Sequence, residues 1–208
     1  MFIKKQVRFI GLIAVCFCIS LQATPAEPEE KDFTPDFVAK CKERAEAGDA
    51  EGQAFYGRAL ANGWGVASNH VDAVKWLSKA ADAGNAIGQC SLGVCYYDGT
   101  GVEKDEAKAV EWLRKAAEQG FARGQCYLGV CYEYGTGVEK DEAKAVEWYR
   151  KAADQGHAYA QYHLGLCYCM GKGVEDDKLK AIEWFRKAAL QGNKQAVSFL
   201  RILANMGK

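Results

Sequence analysis

The chain of 208 residues has 27 Lys and Arg side chains against 27 Asp and Glu side chains, and 49% of its residues are hydrophobic. This apolar content is enough for a buried core, which argues against a wholly disordered chain. A balanced charge offers no electrostatic footprint for nucleic acid. We therefore expect a folded protein that does not bind nucleic acid.

The beginning of the chain has the pattern of a cleaved signal peptide, residues 1–23. Lys4, Lys5 and Arg8 form a basic start, and an uncharged, mostly apolar stretch of 13 residues follows. That stretch is shorter than the roughly 20 residues of a transmembrane helix. We expect cleavage after Ala23 and export to the periplasm or the cell exterior. Cleavage three residues later and an uncleaved membrane anchor are the alternatives.

Residues 24–36 contain all three prolines of the chain and several acidic residues. Such a segment has little apolar surface to bury, so we expect a disordered linker. A helical pattern of apolar residues begins at Phe37. The stretch from Phe37 to Gly48 predicts a single capping helix.

A stretch of 14 residues, from Gly99 to Trp112, recurs letter for letter at positions 135–148, 36 residues later. Tryptophans and glycines elsewhere in the chain keep the same step. A fixed period of 20–50 residues is typical of repeat proteins that form a solenoid. The predicted units and the closing half-unit are 49–84, 85–120, 121–156, 157–192 and 193–208.

Each unit contains the pattern of two amphipathic helices joined by a glycine-rich turn. In the third unit, Leu128 and Cys131 lie on one face of the first helix. Gly135 is suited to end that helix in a left-handed conformation, and Asp141 is suited to cap the second helix. Ala145 and Trp148 then lie on the inward face of the second helix. The pattern predicts an all-α fold.

These motifs resemble the Sel-one-like repeat (SLR), which is related to the tetratricopeptide repeat. The fourth unit shows the matching residues Ala158, Gln161, Leu164, Gly165, Tyr168, Gly171, Gly173, Val174, Lys180, Ala181, Trp184, Lys187, Ala188, Ala189 and Gly192. The resemblance covers about residues 37–208. It implies a right-handed α/α superhelical solenoid of four 36-residue helix-turn-helix repeats with capping half-units. It also implies a scaffold or peptide-binding role, usually without catalysis.

Some exported bacterial members of that family are rich in cysteine, with a disulfide joining each unit to the next, and are associated with β-lactam binding. Here the positions that end the second helices hold alanine and those that open the next helices hold glutamine. The disulfide ladder is therefore absent from this sequence. By analogy with those relatives, a hydrolase of β-lactams or cell-wall peptides remains the alternative function.

Seven cysteines follow the predicted signal peptide. Cys95, Cys131 and Cys167 occupy equivalent positions, and helices packed 8–10 Å apart keep such positions too far apart for a disulfide. We interpret these three as small buried apolar residues, in preference to a disulfide array. Cys169 is the best candidate for a free thiol.

A metal site could be built from His163, Cys167 and Cys169, because the first two lie one helical turn apart. However, Cys167 only repeats Cys131, whose unit has Tyr127 at the histidine position. A site of that kind would exist in one unit only. We therefore expect no metal and no cofactor.

Positions that differ between units show where a partner would bind. By analogy with tetratricopeptide repeats, the first helices line a concave groove. The candidate groove residues are Arg58, Tyr97, Arg123, Tyr134, Tyr159, Tyr162 and Met170. Tyrosine and methionine are common on protein-binding surfaces, and arginine pairs with carboxylates. We expect a monomeric scaffold that holds a protein or peptide segment in this groove. The alternatives are a structural envelope spacer, or side chains that cover one another and bind nothing specific.

Overall fold

A computed structural model describes residue 28 and residues 30–206, with side chains as far as residue 203. The expected signal peptide lies outside these residues. The described part holds a short 3-10 helix, Glu30–Asp32, and ten α-helices, with no strand. The α-helices are α1 Pro35–Glu46, α2 Ala50–Asn62, α3 His70–Asp82, α4 Ala86–Asp98, α5 Glu106–Glu118, α6 Ala122–Tyr134, α7 Glu142–Asp154, α8 Ala158–Met170, α9 Lys178–Leu190 and α10 Lys194–Met206.

The helices form an α/α solenoid, as predicted. Four helix pairs, α2–α3, α4–α5, α6–α7 and α8–α9, make the four units, while α1 and α10 close the two ends. The first helices of successive units are in direct contact where α2 meets α4 and where α4 meets α6. These contacts place the first helices in the inner layer of the array. No helix among the described residues is long and apolar enough to cross a membrane.

The helix ends follow the predicted signals. Gly135 has a φ of 72° and ends α6 with its N–H donating to the carbonyl of Cys131. The side chain of Asp141 accepts a hydrogen bond of 3.0 Å from the backbone N–H of Lys144 and so caps α7. These two residues fix where one helix stops and the next begins.

Glycines allow two close approaches in each unit. Gly137 has a φ of 66°, and a Cβ there would collide with the carbonyl oxygen of Glu106 in the preceding unit. Inside α6, a Cβ on Gly129 would lie 2.7 Å from the ring of Tyr149. Mid-helix glycine costs roughly 1 kcal/mol relative to alanine, and the close contact between the paired helices explains why it is used.

The amino-terminal end differs from the expectation of a disordered linker over residues 24–36. From Glu30 onward this segment is ordered, and α1 begins at Pro35 with Thr34 as its cap. Phe33 is only 4% exposed, and its ring centroid lies 5.3 Å from that of Phe37. A single aromatic residue therefore anchors a segment whose overall composition is polar.

Candidate functional site: the concave groove

The predicted groove residues all lie on first helices, but they differ in exposure. Tyr134 is 40% exposed at the end of α6. Tyr97, Arg123, Tyr159 and Met170 are partly buried, which leaves part of each side chain on the surface. These five residues remain candidates for contact with a partner.

Two of the predicted residues are buried instead. Tyr162 is 2% exposed because its ring packs against Phe185 at 5.9 Å and against Phe199 of α10 at 6.1 Å. It belongs to the core, so the prediction that Tyr162 anchors a partner needs correction. Arg58 is 5% exposed, with its guanidinium 5.7 Å from the ring of Trp64. Arg58 lines a pocket rather than an open surface.

Tyr97 and Tyr134 form the aromatic centre of the groove. Burial, with a smaller effect of Cys131, raises the pKa of Tyr97 to about 12. Burial also raises the pKa of Tyr134, and the next contributions come from Glu133, Tyr162 and Tyr97. The electrostatic effect of Tyr97 on Tyr134 indicates that the two phenols lie near each other. Both phenols are therefore neutral at physiological pH and can donate or accept hydrogen bonds.

A pocket of about 240 Å³ lies among the first three units. Its polar lining includes Arg58 from α2, Asp98 from α4 and Arg123 from α6, and Leu77 and Val94 contribute apolar wall. The two arginines were predicted from the sequence as separate groove residues. A single pocket lined by three units was not predictable from the sequence, because it depends on how the units pack against one another.

A buried polar cluster around Glu133 was not predicted from the sequence. The carboxylate accepts hydrogen bonds from the Tyr149 hydroxyl at 2.8 Å and from Nζ of Lys172 at 3.2 Å. Nδ1 of His163 lies 3.6 Å away and has no hydrogen-bond partner among the described residues. Burial would raise the pKa of Glu133, but His163, Lys172 and the Tyr149 hydroxyl outweigh it and lower the pKa to about 2.

A sequence signal for this cluster exists, because its members interrupt the repeat. Where the third unit has Tyr149, the other units have Leu77, Leu113 and Phe185. At the position of Glu133, the other units have Ala61, Tyr97 and Cys169. The sequence therefore shows that polar residues replace apolar ones at single positions of the repeat. Only the structure shows that these polar side chains are in contact.

The cysteines behave as predicted for small apolar residues. Cys95, Cys131 and Cys167 are buried, and none of the seven cysteines among the described residues forms a disulfide. Burial raises the pKa of Cys95 and of Cys131 to about 12, which disfavours the reactive thiolate. Cys169 is the one that keeps partial exposure. Across the described residues, no three His, Cys, Asp or Glu side chains are grouped to hold a metal ion.

Comparison with known proteins places these features in a family. The Sel1 repeat matches residues 50–85, 86–121, 122–157 and 158–193. Each match is shifted by one residue from the predicted unit. Among curated proteins, none matches the chain significantly.

Several solved structures share the fold. A Sel1 repeat protein from Oxalobacter formigenes is 33% identical with a TM-score of 0.76, and the alignment covers 84% of this chain and 69% of that one. The protective antigen c5321 of uropathogenic Escherichia coli, which displays an SLR fold, is 37% identical with a TM-score of 0.74. That alignment covers 82% of this chain but only 36% of the antigen. Cysteine rich protein B of Helicobacter pylori is 29% identical with a TM-score of 0.50, over 62% of this chain and 92% of that protein. The four consecutive matches and the shared fold together show that the chain belongs to the Sel1 repeat family.

Proposed function

We propose that this protein is an exported, non-catalytic scaffold that holds a protein or peptide segment in its concave groove. Sel1 repeats mediate protein interactions and are generally scaffolds without catalysis. The observation that carries the proposal is the position of Tyr134, a large aromatic side chain that is 40% exposed on the inner layer. A core would cover such a residue, whereas a binding surface uses it.

The proposed binding mode combines aromatic anchors with polar contacts. Tyr97 and Tyr134 offer flat apolar rings with neutral hydroxyls, which suits the side chains and the amides of an extended segment. Tyr159 and Met170 continue this surface toward the carboxyl-terminal end of the groove. Met170 adds an adaptable apolar contact.

Export is the second part of the proposal. Its support is the basic and then apolar pattern of residues 1–23 in the sequence. We expect a partner in the periplasm or at the cell exterior. Glu133 and His163 lend no support to the alternative of a hydrolase, because their side-chain exposures are only 6% and 4%.

A site-specific photo-crosslinker tests the groove. It would replace Tyr134 in one variant and Glu147, an exposed residue on the second helix of the same unit, in a matched control. In cells that export the protein, we expect a discrete adduct from position 134 and none from position 147. The adduct should weaken when Tyr97 is also changed to Ala. Equal adducts from both positions would show that the partner does not use the groove.

A further inference from the structure

We infer that the pocket among the first three units receives one aromatic side chain, a phenylalanine or a tyrosine, of the bound segment. This inference rests on the proposed function, because it assigns one contact of the segment in the groove. Most of the lining comes from the first helices α2, α4 and α6. Asn62 and Asp98 belong to this lining and occupy the positions equivalent to that of Tyr134. A segment that contacts Tyr134 and continues along the inner layer would therefore reach the pocket.

Two units later, the place that corresponds to the pocket is filled by the chain's own side chains. The positions of the lining residues Ala61, Leu77 and Ser91 are there those of Glu133, Tyr149 and His163. All three of these larger side chains are buried or nearly so. The rings of Tyr149 and His163 are stacked, with their centroids 5.0 Å apart. Aromatic rings therefore occupy the space that stays open in the pocket.

One unit later, a ring takes this place as well. The residue that corresponds to Ser91 is Tyr127, which is 8% exposed and belongs to the core. The second helix that precedes it in the chain carries Leu113 in the same core, and the pocket has Leu77 at the equivalent position. A tyrosine is thus accommodated in surroundings that resemble those of Ser91. With serine instead of tyrosine, about 240 Å³ stay open in the pocket.

The lining suits an uncharged ring. Leu77, Val94 and Cys95 supply apolar wall, against which a ring can be buried. Arg58 and Arg123 already interact within the chain, and a neutral ring needs no donor from them. The volume of about 240 Å³ lies below the roughly 300–1,000 Å³ of pockets that enclose a whole drug-sized ligand. One side chain is therefore a better match than a complete small molecule.

A pair of small probes tests the inference without the natural partner. N-acetyl-L-phenylalanine amide carries a flat ring, and N-acetyl-L-cyclohexylalanine amide carries an apolar ring of similar size that is not flat. In two-dimensional amide NMR spectra, we expect the phenylalanine probe to shift the signals of Ser91, Val94 and Asp98 saturably. The cyclohexylalanine probe should bind more weakly. Equal or tighter binding of the cyclohexylalanine probe, or no saturable shift by either, would overturn the inference.

Two further readouts show whether the ring itself enters the pocket. The ring current of a bound phenylalanine probe should move the methyl signals of Leu77 and Val94 upfield. N-acetyl-L-alanine amide, which has the same backbone and no ring, should leave all these signals unchanged. If the alanine probe shifts them equally, the backbone of the probe is recognised and our assignment is wrong.

A variant that copies the following unit connects the binding to the pocket. Ser91→Tyr places a ring where the following unit has Tyr127, so we expect saturable binding of the phenylalanine probe to be lost. The melting temperature should rise, because the new ring buries apolar surface. Ser198→Tyr, at an exposed serine of α10, adds the same ring elsewhere and should leave binding unchanged. Unaltered binding by Ser91→Tyr, or an equal loss in Ser198→Tyr, would contradict the assignment.

Circular dichroism would first show that each variant is folded, and Ala61→Tyr provides a second test. It copies Tyr97 of the next unit and should weaken binding of the phenylalanine probe by about tenfold or more, which corresponds to about 1.4 kcal/mol. Unchanged affinity would count against the pocket. Because these probes need no partner, failure here with a positive crosslink from position 134 removes only the aromatic subsite. Success here without a crosslink removes only the proposed groove partner.

Discussion

His157 caps α8 through a ring nitrogen, and this role requires a neutral imidazole. Nδ1 accepts a hydrogen bond of 3.3 Å from the backbone N–H of Ala160 in a buried setting. Burial, followed by the charges of Arg123 and His163, lowers the pKa of His157 to about 3. In the second unit the equivalent residue is Asn85, which caps without a titratable group.

The cap makes stability depend on pH. In the unfolded chain His157 binds a proton below about pH 6.5. In the folded chain it binds that proton only below about pH 3. The free energy of unfolding should therefore be undiminished above pH 6.5 and fall by up to about 1.4 kcal/mol per pH unit below it. Urea denaturation between pH 7 and pH 5 would measure this. His157→Asn should have a shallower slope, and an identical slope would contradict the prediction.

The buried carboxylate of Glu133 gives a second prediction at this scale. Tyr149→Phe removes the hydroxyl that donates to Glu133 at 2.8 Å, while Phe185 shows that phenylalanine fits the equivalent position of the next unit. We expect a loss of about 1.5–3 kcal/mol in the free energy of unfolding, since the hydrogen bond is made to a charge. Chemical denaturation would measure it.

The control is the same change in a Glu133→Gln background. There the loss caused by Tyr149→Phe should be smaller, because the acceptor is no longer charged. Equal losses in both backgrounds would mean that the hydroxyl stabilises the protein in another way.

Individual residues were only partly predictable from the sequence. The inner-layer position of Tyr134 followed from its place on the first helix and from the analogy with related repeats. The same analogy misplaced Tyr162, because its burial depends on Phe199 in α10, which follows the last full unit. The Glu133 cluster was missed because its members are as many as 39 residues apart in the chain.

At the scale of the elements, helix ends were more predictable than burial. Gly135 and Asp141 act locally, through a left-handed conformation and a side-chain cap, so their effect can be inferred from a few neighbouring residues. The residue at which the ordered chain begins was harder to predict from the sequence. Phe33 lies in an acidic, proline-containing stretch, and its burial depends on residues that come later in the chain, in α1, in α2 and in the turn that follows α2.

The turn between paired helices provides a prediction with an internal control. Gly137 and Gly156 both have positive φ, 66° and 91°, so alanine is strained at either position. Only at Gly137 would the added Cβ also meet the backbone of the preceding unit, since nothing lies within 4 Å of a Cβ at Gly156. Gly137→Ala should therefore lower the melting temperature more than Gly156→Ala does. Equal shifts would show that the turn can move away.

At the scale of the whole molecule, each unit depends mainly on its neighbours. The last full unit is covered by α10, whose Phe199 stacks on Phe185 at 5.2 Å. A chain that ends at Gly192 would expose Phe185 and Tyr162. We expect faster amide hydrogen exchange in α8 and α9 of this shortened protein, with little change in α4. Uniformly faster exchange would instead show that the array unfolds as one cooperative block.

The contact between each turn and the unit before it has a consequence for the order of assembly. At Gly137 the chain docks on the backbone at Glu106, and at Gly173 it docks in the same way on Glu142. The backbone on which each turn packs therefore precedes that turn in the chain and has already been synthesised when the ribosome reaches the turn. A polypeptide that enters its folding compartment amino end first can therefore complete these units in sequence.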